Sequence, residues 1–324
     1  MTVMYVELND EQQFLVEAAQ GVLSRVDTLA SARAALDGEP YIDLWDLAVD
    51  AGWPGLLSAE EHDGAGLGAY EAMLVLEACG ARLADARLLG HLTAAAMLEL
   101  HDGDPDLRRQ LATGERRAAF VAGAGPTLDA AGADVLVVAT PGGVEAVDAA
   151  VERERAYDAT RALARVDIRV DGPAMLGRDF QRALLAAESV GAADACLTMA
   201  RDYALERYAF GRAIGSYQAI KHKLVEMVRR IEAARSLTVA AARAWADGDH
   251  DEFGLLANAA RVAAAEALDY AAPENIFIHG GIGATWEHDA QLYYRRAELS
   301  RRLCGGVDAA ADDVAQRLFA KIHD

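Results

Sequence analysis

YALERYAFGRAIGSYQAIKHKLVEM, residues 203–227, joins two long apolar-periodic segments through a short stretch of arginine, aromatic residues and glycine. Arg207 and Phe210 are three apart, hence neighbours on a helix end or the turn after it. A guanidinium can grip a pyrophosphate with two N–H groups, where a lysine gives only a point charge. Phe210 offers a flat apolar face, and Gly211 lets the backbone turn closely. Gln218 can donate to or accept from a phosphate or an adenine edge. Taken singly, Arg207 reads as a solvated ion-pair residue and Phe210 as core. Taken as the run Arg-x-x-Phe-Gly-Arg with Gln218 behind it, they read as cofactor contacts.

On both sides of this stretch the chain is helical. Residues 180 to 204, 214 to 246, 251 to 279 and 287 to 320 show long apolar periodicity with few breakers, the pattern of helices packed into a bundle. Upstream, residues 117 to 170 hold short β-type runs: Ala118 to Ala122, Val135 to Ala139, Val144 to Val147 and Val166 to Val170. The turn signals Gly123-Ala124-Gly125-Pro126 and Pro141-Gly142-Gly143 separate them. The character of the chain changes at Gly103-Asp104-Pro105, and the residues before it read as helices. Asn9-Asp10 caps the first, Gly52 ends the second, and Tyr70 to Ala84 and Leu88 to Leu100 follow. The expected fold is therefore mainly α with a small β-domain. The expected units are residues 1–115, 116–172 and 173–324. No phosphate-cradling GxGxxG follows a strand, which disfavours a Rossmann fold.

With 324 residues, 53% of them hydrophobic, the chain is long enough for a large core. Its formal net charge is -20. That excludes the basic stripe needed for nucleic acid or an anionic lipid surface. No uninterrupted apolar run reaches the length of a membrane span. The N-terminus is acidic and lacks the basic and apolar regions of a signal peptide. Cys79, Cys196 and Cys304 are far apart and odd in number, which fits a reducing compartment and neither a disulfide framework nor a zinc site. The expected location is cytoplasmic.

Three segments resemble the acyl-CoA dehydrogenase family. LWDLAVDAGWPGLLSAEEHDGAGLGAYEAMLVLEACGARLA, residues 44–84, is similar to its N-terminal helical domain. Residues 203–227 are similar to the opening of its C-terminal bundle. FIHGGIGATWEHDAQLYYRRAE, residues 277–298, is similar to the glycine-bearing segment that follows. The resemblance implies an FAD cofactor and an acyl-CoA substrate oxidised to the trans-2-enoyl thioester. It also implies electron-transferring flavoprotein or a similar electron acceptor. It further implies that Arg207, Phe210, Gly211 and Gln218, with Gly280 and Gly281, contact the ADP portion of an FAD held mainly by a neighbouring subunit. Phe277 stands where the family usually has glutamine.

The same resemblance exposes what is missing. Family members remove the α-proton with a carboxylate while the β-hydrogen leaves as hydride to the flavin. The usual base position carries Cys304, read as a small buried side chain. The alternative position, on the first bundle helix, carries Gln181, which has no acid–base capacity near neutral pH. Glu188, seven residues on, is a weak substitute, more naturally an interhelix ion-pair residue. Ala122-Gly123-Ala124-Gly125-Pro126-Thr127 stands where the family's flavin-holding turn carries an acidic residue, a serine and an aspartate. The tryptophans, at 45, 53, 245 and 286, all lie outside the β-domain. The expectation is a reduced subunit that joins a full-length acyl-CoA dehydrogenase in a heterotetramer and completes its FAD site. It resembles the short subunits of heteromeric actinobacterial enzymes that act on steroid-derived acyl groups. A homotetramer with a non-standard base and an FAD-less scaffold are the alternatives.

Overall fold

The computed structural model describes residues 7–123, 125–140, 143–148, 151–166 and 175–323. Six helices come first: α1 (Asp10–Leu23), α2 (Thr28–Leu36), α3 (Trp45–Asp50), α4 (Ala69–Ala81), α5 (Leu88–Leu100) and α6 (Pro105–Ala112). Asn9 caps α1 as its sequence indicates. Its side chain accepts from Gln12 N at 2.8 Å, and Gln12 Oε1 accepts from Asn9 N at 3.2 Å. This reciprocal pair satisfies two backbone donors that the first turn would otherwise leave open. Asn9→Ala is expected to cost about 1 kcal/mol in chemical denaturation. Gly103-Asp104-Pro105, where the character of the chain was expected to change, opens a further helix. Asp104 caps α6 and Pro105 takes its first position, where a missing N–H costs nothing.

Among the described residues, five short strands follow: β1 (Ala118–Val121), β2 (Gly125–Thr127), β3 (Val135–Thr140), β4 (Gly143–Asp148) and β5 (Ala164–Val166). β3 lies between β1, which it pairs in parallel, and β4, which it pairs antiparallel. β2 pairs antiparallel with β5. The period-two alternation of a strand divides this sheet cleanly. Ala118, Phe120, Val135, Val137 and Ala139 join the large helical core. Ala119, Val121, Leu136 and Val138 form a separate small core with Ala164 and Val166. Gly125-Pro126 is a strand rather than a turn, with Pro126 on a two-stranded ladder. Ala124, Pro141-Gly142 and most of the run Val166 to Val170 lie outside the described residues.

The bundle contains α7 (Met175–Glu206), a tight hairpin of β6 (Tyr208–Ala209) and β7 (Arg212–Ala213), α8 (Gln218–Ala246), α9 (His250–His279), α10 (Ala290–Ser300) and α11 (Gly306–His323). By length and hydropathy alone α7 could cross a membrane, but 72% of its apolar window is buried. It packs against α4, α8 and α9 and is the central core helix. Its crossing with α4 is closed by two glycines facing each other's chain. A Cβ on Gly80 would meet the carbonyl of Glu188 at 1.9 Å, and one on Gly191 would meet that of Glu77 at 1.9 Å. Neither carbonyl is a flexible side-chain end. Gly191→Ala is therefore expected to destabilise by about 1–3 kcal/mol, read from a urea midpoint. Lys223 pairs with Glu274 and Arg230 stacks on Tyr270, so α8 and α9 run antiparallel. The single segment expected over 287 to 320 is two helices. Cys304, Gly305 and Gly306 all have positive φ and break it.

Candidate cofactor-contact site

α7 ends at Glu206, and Arg207 N still donates to Tyr203 O at 2.8 Å. The chain then reverses in the β6–β7 hairpin, whose two central residues are Phe210 (φ 52°) and Gly211 (φ 82°). Positive φ at both positions is the twist a two-residue hairpin needs. Glycine adopts it freely, but a bulky aromatic residue does so at a cost of order 1–2 kcal/mol. Phe210 is also 97% exposed. A large apolar side chain held in strained backbone and aimed wholly away from its own chain points to an external partner.

The other expected contacts lie at the same end of the bundle. Gln218 is the exposed first residue of α8. The start of α8 meets the end of α9, where Lys223 Nζ donates to Glu274 Oε1 at 2.6 Å and lies over Phe277 at 4.4 Å. Tyr203 at the end of α7 stacks on His279 at 4.4 Å. Gly280 ends α9 with φ 66°. Gly281 has no such backbone reason to be glycine, and a Cβ there would meet nothing within 4 Å. The chain's own packing therefore leaves open space over Gly281, room for close approach by another molecule. Gly283 differs: a Cβ there would meet His279 and the Ile276 carbonyl at 2.8 Å, so internal packing accounts for it. Arg207, Arg212 and Lys221 are exposed at this end of an otherwise acidic protein.

The two base positions, 123 residues apart in sequence, are brought together. Cys304 Sγ donates to Gln181 Oε1 at 3.4 Å. Cys304 is half-buried rather than buried, and desolvation pushes its thiol up to about 11. Arg182, next along α7, donates through Nε to the Cys304 carbonyl at 2.9 Å. The thiol and the amide at the two positions singled out by the resemblance thus lie side by side, and neither is a carboxylate.

Glu188, the weak candidate for a base, lies in an ion-pair cluster, the role its sequence position favoured. The carboxylate accepts from Arg161, whose Nη1 is 3.0 Å from Oε1 and whose Nη2 bonds Oε2, and from Arg296 Nη1 at 3.0 Å. Arg296 also donates to Asp158 and, at 2.8 Å, to Thr160 Oγ1. Asp85 accepts from Ala162 N at 3.0 Å and lies 4.0 Å from Arg161. Burial alone would raise the Asp158 carboxyl, yet Arg296 and Arg161 hold it below its ordinary range. The cluster is fully buried and joins α7, α10 and the loop before β5. Sequence reasoning missed it because its members come from four distant segments.

Comparison with known proteins agrees with this architecture. The family model described as acyl-CoA dehydrogenase, N-terminal domain, matches residues 9–114, and the one described as acyl-CoA dehydrogenase, C-terminal domain, matches residues 173–319. A bundle of this kind, preceded by helices and a small sheet, is thus of the acyl-CoA dehydrogenase class. The chain belongs to the acyl-CoA dehydrogenase family. It is 35% identical to acyl-CoA dehydrogenase IpdE2 of Mycobacterium tuberculosis, covering 91% of this chain and 93% of that protein. It is 32% identical to IpdE2 of Mycolicibacterium smegmatis, covering 92% and 96%. Among solved structures, the Tcur3481-Tcur3483 steroid ACAD G363A variant superposes with a TM-score of 0.86 at 25% identity, covering 97% of this chain and 99% of that one. The ChsE4-ChsE5 complex from Mycobacterium tuberculosis has the same fold, with a TM-score of 0.85 at 24% identity, covering 97% and 99%. The family is FAD-dependent.

Proposed function

We propose that this chain is a subunit of a heteromeric acyl-CoA dehydrogenase and completes the FAD site of a full-length, carboxylate-bearing partner. The observation that carries this reading is Phe210, strained and 97% exposed beside Arg207. Arg207 would grip the pyrophosphate with two N–H groups. Phe210 would cover a flat face of the dinucleotide, and Gln218 would bond its polar edge. The open backbone at Gly280 and Gly281 would let it approach closely. The flavin, when bound, supplies the acceptor for the two electrons removed from the thioester. The Cys304–Gln181 pair supports assigning proton abstraction to the partner. The kinship with proteins named as steroid-acting and as two-component complexes supports a bulky steroid-derived acyl-CoA substrate. Electron-transferring flavoprotein is the expected acceptor.

Co-expression with the full-length dehydrogenase tests this. The complex should reduce an artificial electron acceptor with acyl-CoA, and the isolated chain should not; turnover by the isolated chain would refute the division of labour. Phe210 offers a sharper check. Asn tolerates positive φ better than phenylalanine, so Phe210→Asn should leave stability unchanged or raise it by up to about 1 kcal/mol. The same substitution should weaken flavin retention in the complex. A residue serving only the hairpin would show no such opposition between stability and binding.

A further inference from the structure

A second feature lies beyond the FAD-contact end: a cavity of about 750 Å³ between the segment after α2, residues 153–161 and the start of α10. Its lining pairs guanidinium groups with aromatic faces. Arg295 lies over the Tyr157 ring at 4.7 Å and over the Trp286 ring at 5.5 Å. Tyr157 and Trp286 are 50% and 65% exposed, so both retain ring surface for a ligand. Arg153 donates to the Arg161 carbonyl at 3.3 Å, which fixes it at the rim. Arg155 has no ion pair among the described residues and is exposed. Arg161, although it lines the cavity, is neutralised by Glu188. Of the two lining carboxylates, Glu154 faces Arg165 at 3.9 Å, leaving Glu39 against Arg153, Arg155 and Arg295. The local balance is thus cationic in a chain of net charge -20. Charges farther away than about 8 Å are largely screened at physiological salt, so the local balance governs what enters.

We propose that this cavity binds the nucleotide handle of a ligand: a planar base against Trp286 and Tyr157, and a phosphate against Arg155 and Arg153. The volume lies within the range of about 300–1,000 Å³ typical of small-molecule sites. Exposed aromatic faces attract planar bases, with stacking worth enough to be measurable. Arginine forks bind phosphate oxygens in pairs. An adenosine phosphate could come from two sources, a flavin dinucleotide or coenzyme A, which differ in where the phosphates sit.

The purified full chain separates these cases by tryptophan fluorescence. Trp45 and Trp53 are buried and Trp245 packs on Phe180, so Trp286 is the exposed reporter. Titration with ADP and with adenosine 3′,5′-bisphosphate should give saturable quenching. Tighter binding of ADP would indicate the flavin-type handle, and tighter binding of the bisphosphate the coenzyme A type. Adenosine without phosphate should bind at least about tenfold more weakly, as should ADP or the bisphosphate to Arg155→Ala. Absence of saturable quenching by either nucleotide would overturn the proposal. So would inorganic pyrophosphate competing as tightly as the nucleotides, which would mark an ion site only, or full-strength binding by Arg155→Ala.

Discussion

Glu188→Ala is expected to destabilise the protein by about 3–5 kcal/mol, the usual consequence of removing one member of a buried ion cluster. The carboxylate is the hydrogen-bonding partner of both terminal nitrogens of Arg161. Arg161 Nε has no partner, and Asp85 lies no nearer than 4.0 Å, so removal strands a buried cation. Arg296 would fare better, because it keeps Asp158 and Thr160. Glu188→Gln should cost less, since the amide oxygen preserves one acceptor. Urea denaturation of the three proteins measures this order directly. The same pair of variants separates a structural role from catalysis. A base replaced by glutamine would abolish turnover with little change in stability. Here turnover of the assembled complex should survive Glu188→Gln, in proportion to the folded fraction.

The second large effect concerns binding rather than folding. In the complex with the full-length dehydrogenase, Arg207→Ala combined with Phe210→Ala should weaken FAD retention by about 25- to 1,600-fold. A hydrogen bond to a charged group contributes about 1.5–3 kcal/mol, and an aromatic contact about 0.5–1.5 kcal/mol. Each 1.4 kcal/mol is tenfold in affinity. Both side chains are exposed in the isolated chain, so its melting temperature should hardly move. Flavin released on dialysis, followed at its visible absorbance, gives the comparison. Loss of flavin accompanied by an equal loss of stability would point to hairpin collapse instead.

Much of this was legible in the sequence, and the reasons are local. Asn9 and Gln12, three apart, carry all the chemistry of a capping box. Long apolar periodicity marked α7, α8 and α9, and the alternating valines marked β3. A turn at Phe210-Gly211 was legible because glycine lies between two helical segments; its two-stranded hairpin form was not. Other features depended on weaker or distant information. α2 was missed: it is nine residues, mostly small, and buries only Thr28 and Ala32, although Asp27 caps it. α6 was not foreseen, because Asp-Pro marks turns as readily as helix starts. The break before α11 had a signal in Gly305-Gly306, outweighed by the periodicity on either side. The charge cluster around Glu188 had none. Nothing local to Asp85, Asp158 or Arg161 announces that the chain will bury them against α7 and α10. The Cys304–Gln181 pair was foreseen only as two separate positions; their contact is a product of the fold.

The most direct test is the flavin content of the purified chain, alone and after assembly with the full-length dehydrogenase, measured by absorbance against protein concentration. The account requires a nearly colourless chain alone and about one FAD for each pair of unlike chains in the complex. An isolated chain that purifies yellow, with one FAD per copy, would contradict it.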